Sequence, residues 1–593
     1  MDLITTQQAQ ISPRTKAQAW LKKHGLAGML VRSCDRYFNE YVPKSLSLRY
    51  KLTGFDGSVG DALILPDSAH LYVDGRYALQ AKDQAQGFLV TVTNQTQSIE
   101  NAWLSDVAKL IPKQGVLAYD PSTIDLSLFE RLLEKARPNG VSLEPSVPKI
   151  VADILPYANE PLRRAEVFLV PSHISGYSVG EKLKMVGQTL DKTGLTGFLV
   201  TKLDDCAWLT NMRSYYFPFQ SAVPGIAAVF KDRVIFGVDE HLKDACKKTE
   251  PEVMVVVEHE FFQVLSKHIK AADRLGVDWA ELSKEHELSL HTHNIGIERH
   301  KNPISLLKAI KNEKELLHLR SAFKKADQAV FKTQEYVVEA FEKGVALSES
   351  DVDLYIKDSF KKSGAQELSF RPICASGEHG AIIHYGHPSG EKILAENSLF
   401  LLDTGAYFEG GFATDLTRTF LAGTKKASAQ PWQKKMFTLV LKASIRGLSA
   451  RIKRGVTGMQ LDAIVRQPLW QAGLDFAHGT GHGVGINVHE FPPRIAQTST
   501  SELLEGQVFS VEPGLYFAGL GGVRIENLAT IVADPDVDGF LRVLPLTFCP
   551  LDERLIDQAM LDEHDKAFLR YCAEEWQSNK PWPQLPPLNR VSF

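Results

Sequence analysis

Five stretches decide how this chain is read: Leu399-Phe400-Leu401-Leu402-Asp403, Asp415-Leu416-Thr417-Arg418-Thr419-Phe420, His478-Gly479-Thr480-Gly481-His482-Gly483-Val484-Gly485, Val508-Phe509-Ser510-Val511-Glu512-Pro513-Gly514 and Val523-Arg524-Ile525-Glu526-Asn527. Each sets a carboxylate or an imidazole in or beside a strand-like apolar run. Apolar runs of this kind are buried, so Asp403, Asp415, His482, Glu512 and Glu526 are expected to be drawn inside. Four buried carboxylates are very costly unless positive charge sits among them. A metal centre is the simplest resolution.

Carboxylate oxygens with one imidazole suit divalent ions such as Mn²⁺, Co²⁺ or Zn²⁺. A single tetrahedral ion takes four ligands or fewer. Five candidates, two of them able to bridge, fit two ions ~3.5–4 Å apart. Such a pair lowers the pKa of a water and polarises a carbonyl. A nearby carboxylate can take that water's proton, and His384, His478 and His489 are available to donate to a developing oxyanion. The glycines around His482 let the backbone approach closely and argue against a helical His-x-x-x-His zinc site.

Taken singly, each residue has an ordinary reading. Asp403 could end a strand at a turn, Glu512 before Pro513-Gly514 could open one, His478 could lie in a loop, and Glu526 near Arg524 could form an ion pair. The joint arrangement carries the metal reading.

Around this stretch the chain is long enough for about three domains. Its 593 residues carry a net charge of only −4, which speaks against a nucleic-acid surface. No apolar run is long enough to span a bilayer. The first residues, Met1-Asp2-Leu3-Ile4-Thr5-Thr6, have neither a basic nor an apolar signal region, so no signal peptide is expected. Cys34, Cys206, Cys246, Cys374, Cys549 and Cys572 are scattered, as in a cytoplasmic protein with reduced thiols.

The N-terminal half reads as one α/β pattern written twice. Ser12-Pro13 opens a helix through Ala17, Trp20 and Leu21 that stops at Gly25, and Lys182 to Leu190 is a helix stopping at Gly194. Gly25-Leu26-Ala27-Gly28-Met29-Leu30-Val31 parallels Gly194-Leu195-Thr196-Gly197-Phe198-Leu199-Val200. Lys51-Leu52-Thr53-Gly54 parallels Trp208-Leu209-Thr210-Asn211. Two later strands in each copy match as well: Ala62–Leu65 and Leu71–Asp74 with Ile226–Phe230 and Val234–Asp239. A boundary is expected between Pro161 and Pro171. The third segment reads as helices over Glu313–Phe341, from the Ser348/Asp351 capping box onward, over Trp432–Ile452 and over Met459–Trp470, with the residue-bearing strands between them. A strand pair at Ala529–Val532 and Phe540–Leu544, a helix from Asp562 and an irregular proline-rich tail complete it.

At this point the sequence resembles the pita-bread-fold metallopeptidases, and among them the long three-domain form of aminopeptidase P. The motifs that carry the resemblance are Gly54-Phe55-Asp56-Gly57-Ser58, Asp74-Gly75-Arg76-Tyr77, Gly380-Ala381-Ile382-Ile383-His384-Tyr385, Asp403-Thr404-Gly405-Ala406, Thr414-Asp415-Leu416-Thr417-Arg418-Thr419, the His478–Gly485 stretch, Asn487-Val488-His489-Glu490, Glu512-Pro513-Gly514 and Arg524-Ile525-Glu526-Asn527.

The resemblance implies an α/β and α+β fold: two creatinase-N-like domains at 1–165 and 166–305, then a pita-bread catalytic domain with a C-terminal extension at 306–593. It implies two ions, usually Mn²⁺, bridged by Asp415 and Glu526 and completed by Asp403 on one side and His482 with Glu512 on the other. Glu512 would be the general base. His384 and His489 would bond substrate and tetrahedral intermediate, His478 would line the pocket for a penultimate proline, and Arg524 would position Glu526 or the substrate. The implied substrate is a peptide with proline second, cut after its first residue, and the implied assembly is a homodimer. A prolidase acting on Xaa-Pro dipeptides would share the ligands, and a non-catalytic peptide-binding relative would share the fold. The loop from Asp403 to Asp415, with Glu409-Gly410-Gly411, is one residue longer than the family's usual spacing, so a bulge with intact ligands is expected.

Overall fold

The computed structural model describes residues 12–94, 97–155, 166–270 and 272–588. The first residues, on which the signal-peptide expectation rests, and 161–165 of the expected Pro161–Pro171 boundary lie outside the described residues. The chain divides into two compact units, Met1–Leu162 with Asp278–Asn294, and Arg163–Val277 with Ile295–Phe593.

The first unit is built on a six-stranded sheet in the order Leu89–Thr93, Ala69–Asp74, Asp61–Ile64, Gly28–Val31, Val116–Ala118, Ser142–Glu144. Gly28–Val31 pairs antiparallel with Asp61–Ile64 and parallel with Val116–Ala118. The central strands Gly28–Val31 and Asp61–Ile64 are buried along their length because helices cover both faces, as their unbroken apolar runs require. The helix Pro13–His24 starts where the sequence says: Ser12 accepts from the Thr15 N–H, and Gly25 closes it at φ 68°.

In the second unit the same design recurs. Its first sheet runs Val253–Val257, Val234–Val238, Gly225–Phe230, Gly197–Val200, Leu275–Val277, Ile297–Arg299. Each neighbour pair has the same parallel or antiparallel sense as its counterpart in the first sheet. The internal repeat therefore extends to topology. The paired segments ending at Gly54 and Asn211 both terminate helices, Leu48–Thr53 and Leu203–Thr210, in left-handed conformation, φ 73° and 55°. Asparagine tolerates the same conformation that glycine adopts freely. The helix over Lys182–Leu190 is longer than read, Val179–Thr193, because Ser178 and Glu181 form a capping box.

The rest of the second unit holds an antiparallel three-stranded sheet of Ile373–Ser376, Leu399–Thr404 and Leu416–Leu421. A six-stranded sheet follows the order Arg451–Lys453, Phe540–Pro545, Asn527–Ala533, Val508–Val511, Gly481–Gly483, Glu490–Ile495. A hairpin joins Gly514–Phe517 to Gly521–Arg524. The helices Glu313–Glu342 and Glu349–Lys362 pack on the first of these sheets, and Pro431–Leu448 and Gly458–Gln471 on the second. The expected helix to Ile452 is corrected: it ends at Leu448, and Arg451-Ile452-Lys453 is a strand paired with Arg542-Leu541-Phe540. A buried apolar Ile452 satisfies either pattern, so periodicity alone could not place the break. Among the described residues, no helix is long and apolar enough to cross a membrane.

Candidate metal centre

The two sheets of the third segment each bring part of the acidic set. Asp403 lies in Leu399–Thr404, opposite Thr417 of the neighbouring strand, and Asp415 stands just before that strand, Leu416–Leu421. His482 is the middle residue of Gly481–Gly483, Glu512 follows Val508–Val511, and Glu526 precedes Asn527–Ala533. The seam between the sheets is stitched by backbone and side chain. Glu526 N–H donates to Thr417 O at 3.1 Å, and Arg418 Nη1 donates to Glu526 O at 2.6 Å. The five residues are thus held at the join, on short strands whose register is fixed by burial.

Asp415, His482 and Glu526 place one ligand atom each within 4.8 Å of one another. His482 Nε2 is 3.5 Å from Asp415 Oδ2 and 3.5 Å from Glu512 Oε1. Its Nδ1 faces Gly483 O at 3.1 Å, which leaves Nε2 as the atom turned to the carboxylates. Asp403 lies outside that trio but close enough for its charge to act on Asp415, and its Oδ2 accepts from Arg524 Nη2 at 2.6 Å. Asp403 Oδ1, Asp415 Oδ1 and Glu526 Oε1 are buried and accept no hydrogen bond. Such orphaned oxygens are rare and call for a partner.

Burial, then the charges of Asp403 and Glu512, push the Asp415 carboxyl well above the usual range. Burial, then Asp415 and Glu512, do the same to Glu526. Two buried acids that cannot both ionise next to further carboxylates are what a site built for cations looks like before the cations are counted. Three buried oxygens without donors, an imidazole nitrogen turned to the carboxylates and the oxygen-rich set fit divalent ions of the Mn²⁺, Co²⁺ or Zn²⁺ kind. Glu512 differs from the rest. Its side chain is 19% exposed against 6% for Asp415, so it is the carboxylate that an incoming molecule can touch.

Arg524 was expected to position Glu526 or the substrate, and its direct carboxylate partner is Asp403. It reaches Glu526 through Thr417: Arg524 Nε donates to Thr417 Oγ1 at 3.1 Å, and that hydroxyl donates to Glu526 Oε2 at 2.9 Å. Arg524 Nη1 also donates to Tyr516 OH at 2.8 Å. Burial alone would lower the Arg524 pKa, but Tyr516 and Asp403 outweigh it and the guanidinium stays charged. His478 joins this chain, with Nε2 2.9 Å from Tyr516 OH and Nδ1 2.7 Å from Gly479 O. His489 packs edge-on against His482, ring centres 4.3 Å apart. His384 follows Ile383, whose carbonyl lies 3.4 Å from Arg524 Nη1.

Thr417, Tyr516 and Ser510, which donates to Glu512 Oε1 at 3.3 Å, are the residues that sequence reading passed over. Thr417 had a signal: it lies two positions after Asp415 on a strand, hence on the same face. Ser510 had the same one, two positions before Glu512, and Tyr516 had none. The glycine at 481 is needed for close approach, since a Cβ there would sit 1.8 Å from Ser510 O. Where a bulge was expected, Glu409–Gly411 forms a kinked 3-10 turn with Gly410 and Gly411 at φ 82° and 68°, and Ser221 Oγ donates to Gly411 O.

Three family models match in series: a creatinase/prolidase N-terminal domain over 13–151, a second such domain over 159–315, and metallopeptidase family M24 over 318–533. A probable Xaa-Pro aminopeptidase P from Laccaria bicolor is 31% identical over 587 residues, covering 95% of this chain and 90% of that one. Its counterpart from Coprinopsis cinerea is 32% identical, covering 95% and 94%. The chain belongs to the Xaa-Pro aminopeptidase P family. Among solved structures, an X-prolyl aminopeptidase from Caenorhabditis elegans, described as a cytosolic enzyme with a di-nuclear active site, superposes over 95% of both chains with TM-score 0.86 at 24% identity. An Xaa-Pro dipeptidase from Bacillus anthracis, 27% identical with TM-score 0.53, covers only 63% of this chain but 99% of its own. The present chain has both creatinase-type domains ahead of its pita-bread metallopeptidase domain, and the aminopeptidase P relatives match nearly all of it while the dipeptidase matches under two thirds.

Proposed function

We propose that the protein is a metal-dependent aminopeptidase that releases the first residue of peptides whose second residue is proline. The observation that carries this reading is the set of orphaned inward oxygens of Asp403, Asp415 and Glu526 beside His482 and the more exposed Glu512. Asp415 and Glu526 would bridge two divalent ions, with Asp403 completing one and His482 and Glu512 the other. Bound there, the ions would supply a water of lowered pKa and polarise the scissile carbonyl.

The protein's own groups do the rest. Glu512, open to the substrate and steadied by Ser510, takes the attacking water's proton and returns it to the proline nitrogen as the C–N bond breaks. His489 and His384 donate to the oxygen that gains negative charge. His478, held by Tyr516, lines the pocket for the proline ring. Arg524 fixes Asp403 directly and Glu526 through Thr417, holding both carboxylates in place.

Within this reading the ions are Mn²⁺, the chain works in the cytoplasm as a homodimer, and the domains are 1–165, 166–305 and 306–593. The six cysteines, all free, support a reducing compartment. Mass-spectrometric product analysis on an Xaa-Pro-Xaa panel with and without added Mn²⁺ tests the activity, and sedimentation tests the assembly.

A further inference from the structure

A buried set of ion pairs runs from the second α/β repeat to the loop that carries His489. Asp204 and Asp205 lie in the first turn of the helix Leu203–Thr210. Lys308, in the helix Pro303–Ala309, pairs with Asp204 and lies 2.6 Å from Asp205 Oδ1. Asp205 Oδ2 accepts from Asn302 Nδ2 and Ser305 Oγ, each at 2.7 Å. Lys308 Nζ is also 3.9 Å from Glu490 Oε2, while Lys311 pairs with Glu490 Oε1 and donates to Lys308 O at 2.8 Å. All five charged groups are at most 5% exposed. Burial opposes ionisation of Asp204, yet Lys308 overrides it and holds the carboxyl down at about 2, so both stay charged at neutral pH.

The loop between His482 and His489 is wrapped on the Glu490 carboxylate. Oε2 accepts the Ile486 N–H at 3.0 Å. Gly485 is pressed so closely against it that an added Cβ would lie 2.4 Å from Oε2. Gly485 O in turn accepts the N–H of Ala413, two residues before Asp415, at 2.8 Å. Residues 484–489 form no helix or strand, so side-chain anchoring has to place them. Buried ion pairs are weak sources of stability, because desolvation cancels most of their attraction. What they fix here is a geometry, that of the residue next to His489.

We propose that Glu490, gripped by Lys311 and Lys308 and through Lys308 by Asp204 and Asp205, is a positioning residue for His489. The second creatinase-type domain then acts on the chemistry through a buried charge relay.

The inference rests on the reading of His489 as a site residue, and one experiment separates the two. Turnover of an Xaa-Pro-Xaa tripeptide is measured at saturating Mn²⁺ for wild type, Glu490→Gln, Asp204→Asn, His489→Ala and the two double variants, with bound metal and thermal midpoint recorded for each. Glu490→Gln is expected to lower kcat about 10- to 100-fold with metal content retained, as supporting partners of site residues do. Asp204→Asn, which leaves Asp205 on Lys308 and preserves the fold should Glu490→Gln not accumulate, is expected to lower kcat several-fold. On the His489→Ala background neither substitution should cost more than about twofold. Equal losses on both backgrounds, or wild-type kcat in both single variants, would overturn the relay. Wild-type kcat in His489→Ala would overturn the reading of His489 itself.

Discussion

Arg524 Nη2 lies 2.6 Å from Asp403 Oδ2, and the other oxygen of that carboxylate is buried with no hydrogen-bond donor. One oxygen is thereby fixed and the other is aimed inward. The same guanidinium bonds Thr417 and Tyr516, so its planar fork serves three partners at once. A lysine ammonium cannot reproduce that fork. Arg524→Lys should weaken binding of at least one ion by about 10- to 100-fold. Competition against a chromogenic chelator measures this, and an unchanged affinity would remove Arg524 from the support of the centre.

Glu512 is the most exposed of the acidic residues and sits 3.5 Å from His482 Nε2. Glu512→Gln keeps its size and one ligand oxygen but cannot take a proton. Turnover should fall by about 10²–10⁴-fold, the usual worth of a general base. Bound metal, counted by mass spectrometry of the desalted protein, should stay at or near the wild-type ratio. A variant with near-normal rates would show that the proton goes elsewhere.

The metal-free protein holds its carboxylates at a cost. Glu526 is 1% exposed, and burial and its acidic neighbours push its carboxyl well above the usual range. Glu526→Gln removes one of the crowded acids while Thr417 can still donate to the amide oxygen. In chelator the variant should be more stable than wild type by about 1–3 kcal/mol. With ions added the order should reverse, because the wild type gains binding energy that the variant lacks. Thermal unfolding in both conditions checks the crossing. A variant less stable than wild type in chelator would show that the carboxylate is compensated without ions.

Much of this was open to reading because it depends on local chemistry. Ser12, Gly25, Gly194 and the Ser348/Asp351 pair announce helix ends through hydrogen bonds within a few residues, whereas the Ser178 cap was passed over. The apolar runs before Asp403 and Glu512 are strands, and a carboxylate at the end of a buried strand is conspicuous. What escaped depends on contacts between distant residues. Lys308 meets Asp204 across 104 positions, and nothing at either place marks the partner. Tyr516 reads as an ordinary strand aromatic until the hairpin brings it to Arg524 and His478. The end of the helix at Leu448 escaped for another reason: an isoleucine at 452 suits a helix face and a buried strand equally.

His286, in the first unit, provides a pH prediction. Burial, reinforced by Arg36, lowers its pKa from 6.5 to about 3. In the unfolded chain it titrates normally, so between those values the unfolded state binds more protons. Stability from this group is fully present above about pH 6.5 and is lost as pH falls toward 3, by at most about 1.4 kcal/mol per pH unit. His286→Phe should flatten that part of the profile for the unfolding of the first unit. Calorimetry from pH 4 to 7 checks it, and an identical slope in the variant would assign the acid sensitivity to other groups.

The central claim is tested most directly by following products while metal is returned stepwise to depleted protein. The substrates are an Xaa-Pro-Xaa tripeptide, its Xaa-Ala-Xaa counterpart and an Xaa-Pro dipeptide, with cleavage read by mass spectrometry. The account predicts release of the first residue from the proline tripeptide, little from the alanine one, and full activity only at two ions per site. Cleavage of the dipeptide alone, or full activity with one ion or none, would contradict it.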